Sequence, residues 1–243
     1  MTYCVGMRLN RGLIFMSDTR TNAGVDNIST FNKMFTFETP GERMITLMTA
    51  GNLATTQAVI SMLQERSKAP DDRNPSILEA PSMFQVARIV GDTLRSVIAL
   101  NADAGQRADA AFNATIIVGG QIKGSEPRLF LVYPEGNFIE ASDDTPFFQI
   151  GETKYGRPIL VRAYDPDMSW EAAVKLLMVS FDSTIKANLS VGLPLDLMTY
   201  DVDTCETGIK KRIEADNVHY RAISDGWGDA LKSAFDQLPD IKL

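Results

Sequence analysis

The sequence predicts a four-layer αββα sandwich, in which two antiparallel β-sheets pack face to face and pairs of helices cover their outer faces. Three observations lead to this α+β fold class. Apolar segments of strand length come in two blocks, and each block is followed by two segments with helical periodicity. Strands and helices do not alternate regularly, which argues against a doubly wound parallel sheet. No long linker divides the 243 residues, so we expect a single domain over residues 1–243.

The first block contains four predicted strands. Residues 2–9 alternate between apolar and polar side chains, and a short turn with Asn and Gly favours a tight hairpin to residues 12–18. This second segment is apolar on both faces, which is typical of a strand in the middle of a sheet. Residues 33–38 and 44–49 form the other two predicted strands. A polar loop is expected before them, over residues 21–32.

Two helices are predicted next in the chain. The first runs over residues 51–67 and has one apolar face. The second begins after Ser82, a favourable N-cap residue, and its apolar side chains recur at helical spacing. Residues 68–81 and 101–110 are rich in polar residues and are predicted to be loops.

The second block repeats this order with shorter strands. Its predicted elements are strands over residues 112–120, 128–133, 138–140 and 147–150, a helix that ends near residue 162, a helix capped by Ser169, strands over residues 195–203 and 209–213, and a short helix over residues 230–235.

Composition excludes several classes of function. The net charge is −7 and there is no basic cluster with interleaved aromatic residues, so we expect no nucleic-acid partner. No apolar stretch is long enough to span a bilayer, and charged residues interrupt the N-terminal region early, so we expect no signal peptide, no membrane partner and a cytoplasmic location. Cys4 and Cys205 are far apart and match no metal-site spacing, so we expect reduced thiols and neither a metal nor a cofactor.

The single histidine, His219, lies in a polar segment near the C-terminal end. Any Ser-His-Asp or Cys-His mechanism would have to use this residue. We assign His219 a surface or structural role, and we therefore expect that a catalytic base, if there is one, is not histidine.

A nucleophile of another kind is available at the start of the chain. If Met1 is removed, Thr2 carries both an alcohol and a free α-amine at the start of a predicted strand. An N-terminal amine can act as the base that activates its own threonine hydroxyl, because its unperturbed pKa of about 7.7–8.0 lies close to pH 7 and a small downward shift makes it neutral. Most sequences that begin Met-Thr have an ordinary strand residue at this position, so the support must come from elsewhere.

Three further residues lie at the ends of predicted strands, which we expect to converge on one edge of a sheet. Lys33 would disfavour protonation of the Thr2 amine by its positive charge, and Asp18 would hold Lys33 through a charge-assisted hydrogen bond. The backbone N–H of Gly51 would stabilise an oxyanion, where one donor contributes roughly 3 kcal/mol. Each residue alone has an ordinary interpretation: an Asp after a strand is usually in a solvated turn, a Lys at a strand start is usually exposed, and a Gly before a helix usually forms a tight turn. Together with Thr2, and in this order, they favour a catalytic site.

These positions resemble the motifs of proteasome β-type subunits, which are N-terminal nucleophile (Ntn) hydrolases. The similar features are a threonine at the processed terminus, Asp18-x-Arg20 after an apolar strand, a lysine fifteen residues later, and Thr49-Ala50-Gly51 opening a helix. The resemblance implies the sandwich fold, catalytic roles for Thr2, Asp18, Lys33 and Gly51, and a supporting structural role for Arg20. A C-terminal extension from about residue 205, with Arg212, Tyr220 and Trp227, resembles the bacterial Anbu (ancestral β-subunit) branch.

The later motifs depart from the family pattern. Glu152 stands where proteasome subunits carry a serine that supports the terminal amine, and a carboxylate there would raise the pKa of that amine. Asn188 and Ser190, before Gly192, match the family's later Asp and Ser only loosely. We expect residues beside the site to determine substrate preference, and the candidates are Thr21, Phe31, Thr49 and Leu53.

The resemblance implies a threonine endopeptidase that hydrolyses peptides or unfolded proteins and forms a homo-oligomeric ring or open spiral. Because the sequence has no ATP-binding loop, an ATP-dependent unfoldase partner would have to be another chain. Two alternatives remain open. One is an Ntn amidase that acts on a small amide. The other is an assembly protein with weak or no catalytic activity, which the Glu152 substitution supports.

Overall fold

The computed structural model describes residues 2–22, 28–68, 75–102 and 112–241. The elements of the first half are β1 (Tyr3–Leu9), β2 (Gly12–Asp18), β3 (Arg20–Asn22), β4 (Ile28–Thr30), β5 (Met34–Thr39), β6 (Arg43–Gly51), α1 (Leu53–Lys68) and α2 (Met83–Ala102). Those of the second half are β7 (Ala114–Ile122), β8 (Arg128–Val132), β9 (Phe138–Glu140), β10 (Phe147–Gly151), α3 (Arg157–Ala163), α4 (Trp170–Ala187), β11 (Leu195–Asp201), β12 (Lys210–Ile213) and α5 (Val218–Asp236).

The described strands form two five-stranded sheets and one small hairpin. The first sheet has the order β10-β1-β2-β11-β12, the second has the order β5-β6-β7-β8-β9, and β3 pairs with β4. All neighbouring strands are antiparallel. Two antiparallel sheets with helices on their outer faces confirm the predicted fold class.

Three apolar clusters separate the four layers. One lies between the second sheet and α1 and α2, and contains Leu47 and Val90. Another lies between the first sheet and α3, α4 and α5, and contains Leu177. The third lies between the two sheets and contains Phe15 and Ile117. Each sheet is therefore buried on both faces, which is why its central strands are almost continuously apolar.

Strand β1 illustrates this double burial. Tyr3 and Val5 pack against the helices, whereas Cys4 packs between the two sheets. The alternation in the sequence marks the two faces of β1 correctly. Neither face is solvated, however, and the side chain of Cys4 is as fully buried as that of Val5.

Four predictions about the elements are wrong. The segment 21–32 was predicted to be a polar loop, but its described residues contain part of β3 and all of β4. The terminal helix was predicted over residues 230–235, but α5 begins at Val218, where Asn217 caps it by accepting a hydrogen bond from the backbone N–H of Tyr220. Thr2 was placed in the first strand, whereas β1 begins at Tyr3. The fourth error is the expectation that the ends of the first four strands converge on one edge of a single sheet.

The first four predicted strands do not form one sheet. The β1–β2 hairpin belongs to the first sheet and the β5–β6 hairpin to the second, so their ends face each other across the sandwich. Hairpin formation is local and readable from turns, whereas the choice of sheet depends on long-range pairing. Met1 and parts of the three predicted loops, residues 23–27, 69–74 and 103–111, lie outside the described residues. No described helix is both long and apolar enough to cross a membrane.

Candidate active site

Thr2 lies immediately before β1 and is 9% exposed. Its carbonyl oxygen accepts a hydrogen bond from the backbone N–H of Glu152, at 2.6 Å. The next backbone N–H, that of Tyr3, donates to Oδ1 of Asp18 at 2.9 Å. The main chain around Thr2 is therefore held on both sides, by the segment after β10 and by the end of β2.

Gly151 allows this close approach of β10 to Thr2. Its φ angle is +82°, and a Cβ atom there would collide with the carbonyl oxygen of Thr2. Only glycine combines a left-handed backbone with the absence of a side chain, so the seat of Thr2 depends on this residue. No local pattern in the sequence indicated this role of Gly151.

Asp18 and Lys33 form a buried ion pair between the two sheets. Nζ of Lys33 lies 2.7 Å from Oδ1 of Asp18 and donates a second hydrogen bond, of 2.6 Å, to the carbonyl oxygen of Arg20. The Asp18 side chain is fully buried, and the backbone N–H of Gly192 lies 3.4 Å from its Oδ2. Burial raises the pKa of the Asp18 carboxyl, and the Lys33 ammonium together with two backbone N–H groups acts in the opposite direction.

Gly51 is the last residue of β6, in the second sheet. Its φ angle is +115°, and a Cβ atom would collide with the carbonyl oxygen of Asn113. Two residues earlier, the backbone N–H of Thr49 donates to the carbonyl oxygen of Lys33 at 2.9 Å. This hydrogen bond ties the end of β6 to the residue before β5.

One cavity brings these strand ends together. It has a volume of about 460 Å³ and is lined by Thr2, Thr21, Asn32, Lys33, Thr49, Ala50, Gly51, Leu53, Thr56 and Gly151. Three of the four proposed substrate-contacting residues, Thr21, Thr49 and Leu53, therefore lie beside Thr2. The fourth, Phe31, lines a neighbouring cavity of about 490 Å³, and Asn32 is common to both cavities.

Two cavity residues could have been found from sequence. Thr56 follows Leu53 by three residues, so both lie on the same face of α1. Asn32 directly precedes Lys33, which is the last residue before β5. Neither position carries an unusual residue, and the sequence offered no other signal that they border the site.

Glu152 belongs to a second polar cluster next to Thr2. Its carboxylate accepts hydrogen bonds from the backbone N–H of Lys154 and from Nδ2 of Asn188, both at 3.0 Å. Oδ1 of Asn188 accepts a hydrogen bond from the backbone N–H of Ser190, also at 3.0 Å. Three of the four predicted supporting residues, Glu152, Asn188 and Ser190, thus form one continuous chain of hydrogen bonds, and Glu152 is only 8% exposed.

Arg20 contacts the loop after α4. Its Nη1 donates to the carbonyl oxygen of Leu189 at 3.1 Å, and its guanidinium group lies so close to Gly192 that a Cβ atom there would collide with it. Gly192 in turn directs its N–H towards Asp18. The side chain of Arg20 thus contacts this loop, whereas its carbonyl oxygen accepts a hydrogen bond directly from Lys33. The sequence carried no signal that Gly192 contacts Asp18.

The described residues contain no group of three or more His, Cys, Asp or Glu side chains that could hold a metal ion. The chemical groups gathered here are an alcohol, a buried lysine–aspartate pair and a backbone N–H at a left-handed glycine. This set can support acyl transfer, in which a hydroxyl attacks a carbonyl and a backbone donor stabilises the oxyanion.

Comparison with known proteins gives a consistent result. The model of the family described as "Proteasome subunit" matches residues 2–193. Proteasome subunit beta 2 of Pyrobaculum calidifontis is 25% identical over 197 residues, which cover 81% of this chain and 87% of that protein.

Solved structures with similar folds are more closely related in sequence. Anbu (ancestral beta-subunit) from Yersinia bercovieri is 48% identical, with a TM-score of 0.92 and 99% of each chain covered. The Anbu (Gly-1) mutant from Hyphomicrobium sp. strain MC1 is 49% identical, with a TM-score of 0.92 and 100% of each chain covered. A structure described as a helical assembly of the Anbu complex from Pseudomonas aeruginosa is 45% identical, with a TM-score of 0.90, and covers 99% of this chain and 98% of that one.

Proposed function

Because the chain belongs to the proteasome subunit family, we propose that it is a threonine-type Ntn peptidase whose nucleophile is Thr2 after removal of Met1. The observation that carries this proposal is the shared cavity, in which Thr2 lies with Lys33 and Gly51 while Lys33 is paired with the buried Asp18. An unrelated role for Thr2 would not require a buried cation, held by a buried carboxylate, at the same cavity.

The proposed reaction proceeds through an ester of Thr2. The α-amine takes the proton of the Thr2 hydroxyl as Oγ attacks the scissile carbonyl carbon, and the backbone N–H of Gly51 stabilises the oxyanion. The amine then returns that proton to the leaving amine as the C–N bond breaks. Water hydrolyses the acyl ester by the same steps and restores the hydroxyl. The charge of Lys33 disfavours protonation of the amine, and Asp18 holds Lys33 in place.

We also propose the setting in which this chemistry takes place. The substrate is a peptide or unfolded protein in the cytoplasm, and the side chains of Thr21, Thr49 and Leu53 select the residue that enters the cavity. The chain assembles with copies of itself as a ring or open spiral. The helical assembly of the Pseudomonas aeruginosa relative supports this part of the proposal. Any ATP-dependent unfolding is the work of a separate protein.

A peptide epoxyketone tests the catalytic proposal, because this warhead closes a ring with both the hydroxyl and the free amine of one N-terminal residue. Intact-mass measurement of protein from the native host should show a chain that begins at Thr2 and one adduct per chain. Thr2→Ala should abolish the adduct and peptide turnover, whereas Thr21→Ala, a hydroxyl deletion in the same cavity, should keep the adduct. An adduct that persists in Thr2→Ala contradicts the proposal.

A second candidate function is that of an assembly protein with little activity, and Glu152 is the observation that favours it. A carboxylate beside Thr2 would hold the terminal amine protonated and so remove the base. If wild type forms no adduct near neutral pH but Glu152→Ser does, this second function is supported. Equal adduct formation in both proteins would contradict it.

A further inference from the structure

An open edge of the sandwich adjoins the cavity that contains Thr2. Strand β12 is outermost in the first sheet and β5 is outermost in the second. A groove of about 250 Å³ lies between these edges, with Asn32 and Met34 on one side, and with Asp196, Leu197 and the basic residues of β12 on the other. Asn32 also lines the Thr2 cavity, so the groove continues from that cavity along the edge of the molecule.

The groove is basic. Lys210, Lys211 and Arg212 are consecutive, exposed and part of its lining, and the single carboxylate among the lining residues is that of Asp196. In the described part of the chain, no carboxylate forms an ion pair with Lys210 or Lys211. Two positive charges are therefore unneutralised here, although the whole chain has a net charge of −7.

Arg212 fixes the shape of this basic groove. Its guanidinium group binds the Asp196 carboxylate through two hydrogen bonds, of 2.8 and 2.9 Å. The same Nη2 donates to Oδ1 of Asn32 at 3.0 Å. A planar guanidinium held at two atoms has little freedom to rotate, so this contact joins the two sheet edges at a defined place. Arg212 neutralises Asp196 and leaves the two lysines to attract an anion.

The register of β12 gives the direction of the groove. Lys210 pairs with Met198, which packs between the two sheets, and Arg212 lies two residues further along the same strand. Alternate residues of a strand share a face, so Lys210 and Arg212 both face the second sheet, about 7 Å apart along β12. Because Arg212 contacts Asn32, Lys210 lies further from the Thr2 cavity than Arg212 does.

We propose that this basic groove binds an acidic segment of the polypeptide substrate while the scissile bond lies in the Thr2 cavity. The inference rests on the proposed peptidase function and adds a substrate class to it. A cavity of about 460 Å³ has the width of roughly three residues of extended chain, and Lys210 lies beyond its border. The Asp or Glu side chains that meet Lys210 and Lys211 should therefore be about four to six residues from the scissile bond.

Lysines on an edge strand also have an ordinary role, because they prevent pairing with a strand of another molecule. That role requires no groove and predicts no difference between acidic and neutral peptides. The features that favour substrate binding are the shared residue Asn32, the locked guanidinium of Arg212 and the two unneutralised lysines. Charge complementarity of this kind selects the partner more than it adds affinity.

Binding can be measured without turnover in full-length Thr2→Ala protein. By fluorescence anisotropy at low salt, a labelled neutral peptide that carries three glutamates should bind about tenfold more tightly than the same peptide with glutamines. Lys210→Glu with Lys211→Glu should abolish this preference. Lys68→Glu with Lys123→Glu, which reverses two charges at exposed positions outside the groove, is the matched control and should keep it.

A charge swap separates recognition from loss of folding. The variant with Lys210→Glu and Lys211→Glu should bind a peptide with three lysines about tenfold more tightly than the glutamine peptide, a gain that a misfolded protein would not show. Equal binding of the glutamate and glutamine peptides by Thr2→Ala protein would overturn the proposal. Displacement of the peptide by an oligonucleotide of equal charge at lower concentration would assign the groove to nucleic acids and would overturn it as well.

Turnover by the chain that begins at Thr2 tests the connection to the cavity. With one glutamate moved stepwise along a neutral peptide, kcat/KM should be highest about four to six residues from the scissile bond, on one side only. The gain should appear in KM, because the acidic residue lies away from the reacting atoms. A flat profile would overturn this inference and leave the peptidase intact. Absence of all turnover would overturn the proposed function, and the anisotropy results would then decide the role of the groove by themselves.

Discussion

At the residue scale, Tyr3 shows how the position next to Thr2 is made rigid. Its hydroxyl lies 2.7 Å from both Oγ of Ser180 and Nε2 of Gln149, and its ring lies 4.4 Å from that of Phe181 between centroids. The ring is fully buried, and burial raises the pKa of Tyr3 to about 12. One side chain thus anchors the start of β1 to α4 and β10.

Tyr3 should make the protein less stable in alkaline solution. Because its folded pKa of about 12 exceeds the ordinary tyrosine value of 10.0, the unfolded chain loses this proton first, and stability falls as pH rises between these values. Between about pH 9 and about pH 11 the loss due to Tyr3 should be on the order of 1 kcal/mol. Urea unfolding at both values should show a smaller pH effect in Tyr3→Phe. Equal pH effects in the two proteins would contradict this assignment.

At the scale of the elements, two strand ends depend on glycine for their approach to the site. Gly151 ends β10 against Thr2, and Gly51 ends β6 against Asn113, each with a positive φ angle and no room for a Cβ atom. Both glycines line the cavity that contains Thr2. The strand ends are therefore packed backbone to backbone, which positions the site without the flexibility of long side chains.

Gly151→Ala should cost far more stability than the same change at Gly41. Both glycines have positive φ angles, of +82° and +73°, but a Cβ atom at Gly41 would meet nothing within 4 Å. Gly41→Ala should therefore show only the backbone strain, about 1 kcal/mol. Gly151→Ala should add at least about 2 kcal/mol, because the main chain must move away from Thr2. Urea unfolding measures the free energy of unfolding of both variants. Similar losses in the two would show that Gly151 does not pack tightly against Thr2.

At the scale of the whole molecule, the ion pair of Asp18 and Lys33 joins the two sheets. Asp18 ends β2 in the first sheet, and Lys33 precedes β5 in the second. Both side chains are almost fully buried, so neither charge is compensated by water. The same contact that is proposed to prepare Lys33 for catalysis thus also holds the two halves of the sandwich together at the site.

Removal of either charge should be more damaging than removal of both. Asp18→Asn and Lys33→Met each leave one buried charge unpaired. Each variant should lower the free energy of unfolding by about 3–5 kcal/mol. The double variant should lose less than the sum of the two single losses, because it leaves no unpaired charge. A double-mutant cycle from urea unfolding measures this coupling. Additive losses would indicate that the pair contributes little to the joint between the sheets.

Local patterns determined much of this protein. Alternation and turns predicted the β1–β2 and β5–β6 hairpins, and Ser169 does cap α4, where it accepts a hydrogen bond from the backbone N–H of Ala172. The fold class followed from the order of these elements, and the family followed from motifs that each lie within a few residues. Such features depend on neighbours in the chain, so the sequence displays them directly.

Only the tertiary structure decided how these pieces meet. A two-residue period shows which side chains share a face of a strand, but not which strands become neighbours. The sequence therefore could not show that the two hairpins belong to different sheets. For the same reason Phe31 was expected beside Thr2, although it lines the adjoining cavity. The role of Gly151 was not predicted either, because it packs against Thr2, which lies almost 150 residues away in the chain. Contacts between distant segments arise from packing, and no local pattern records them.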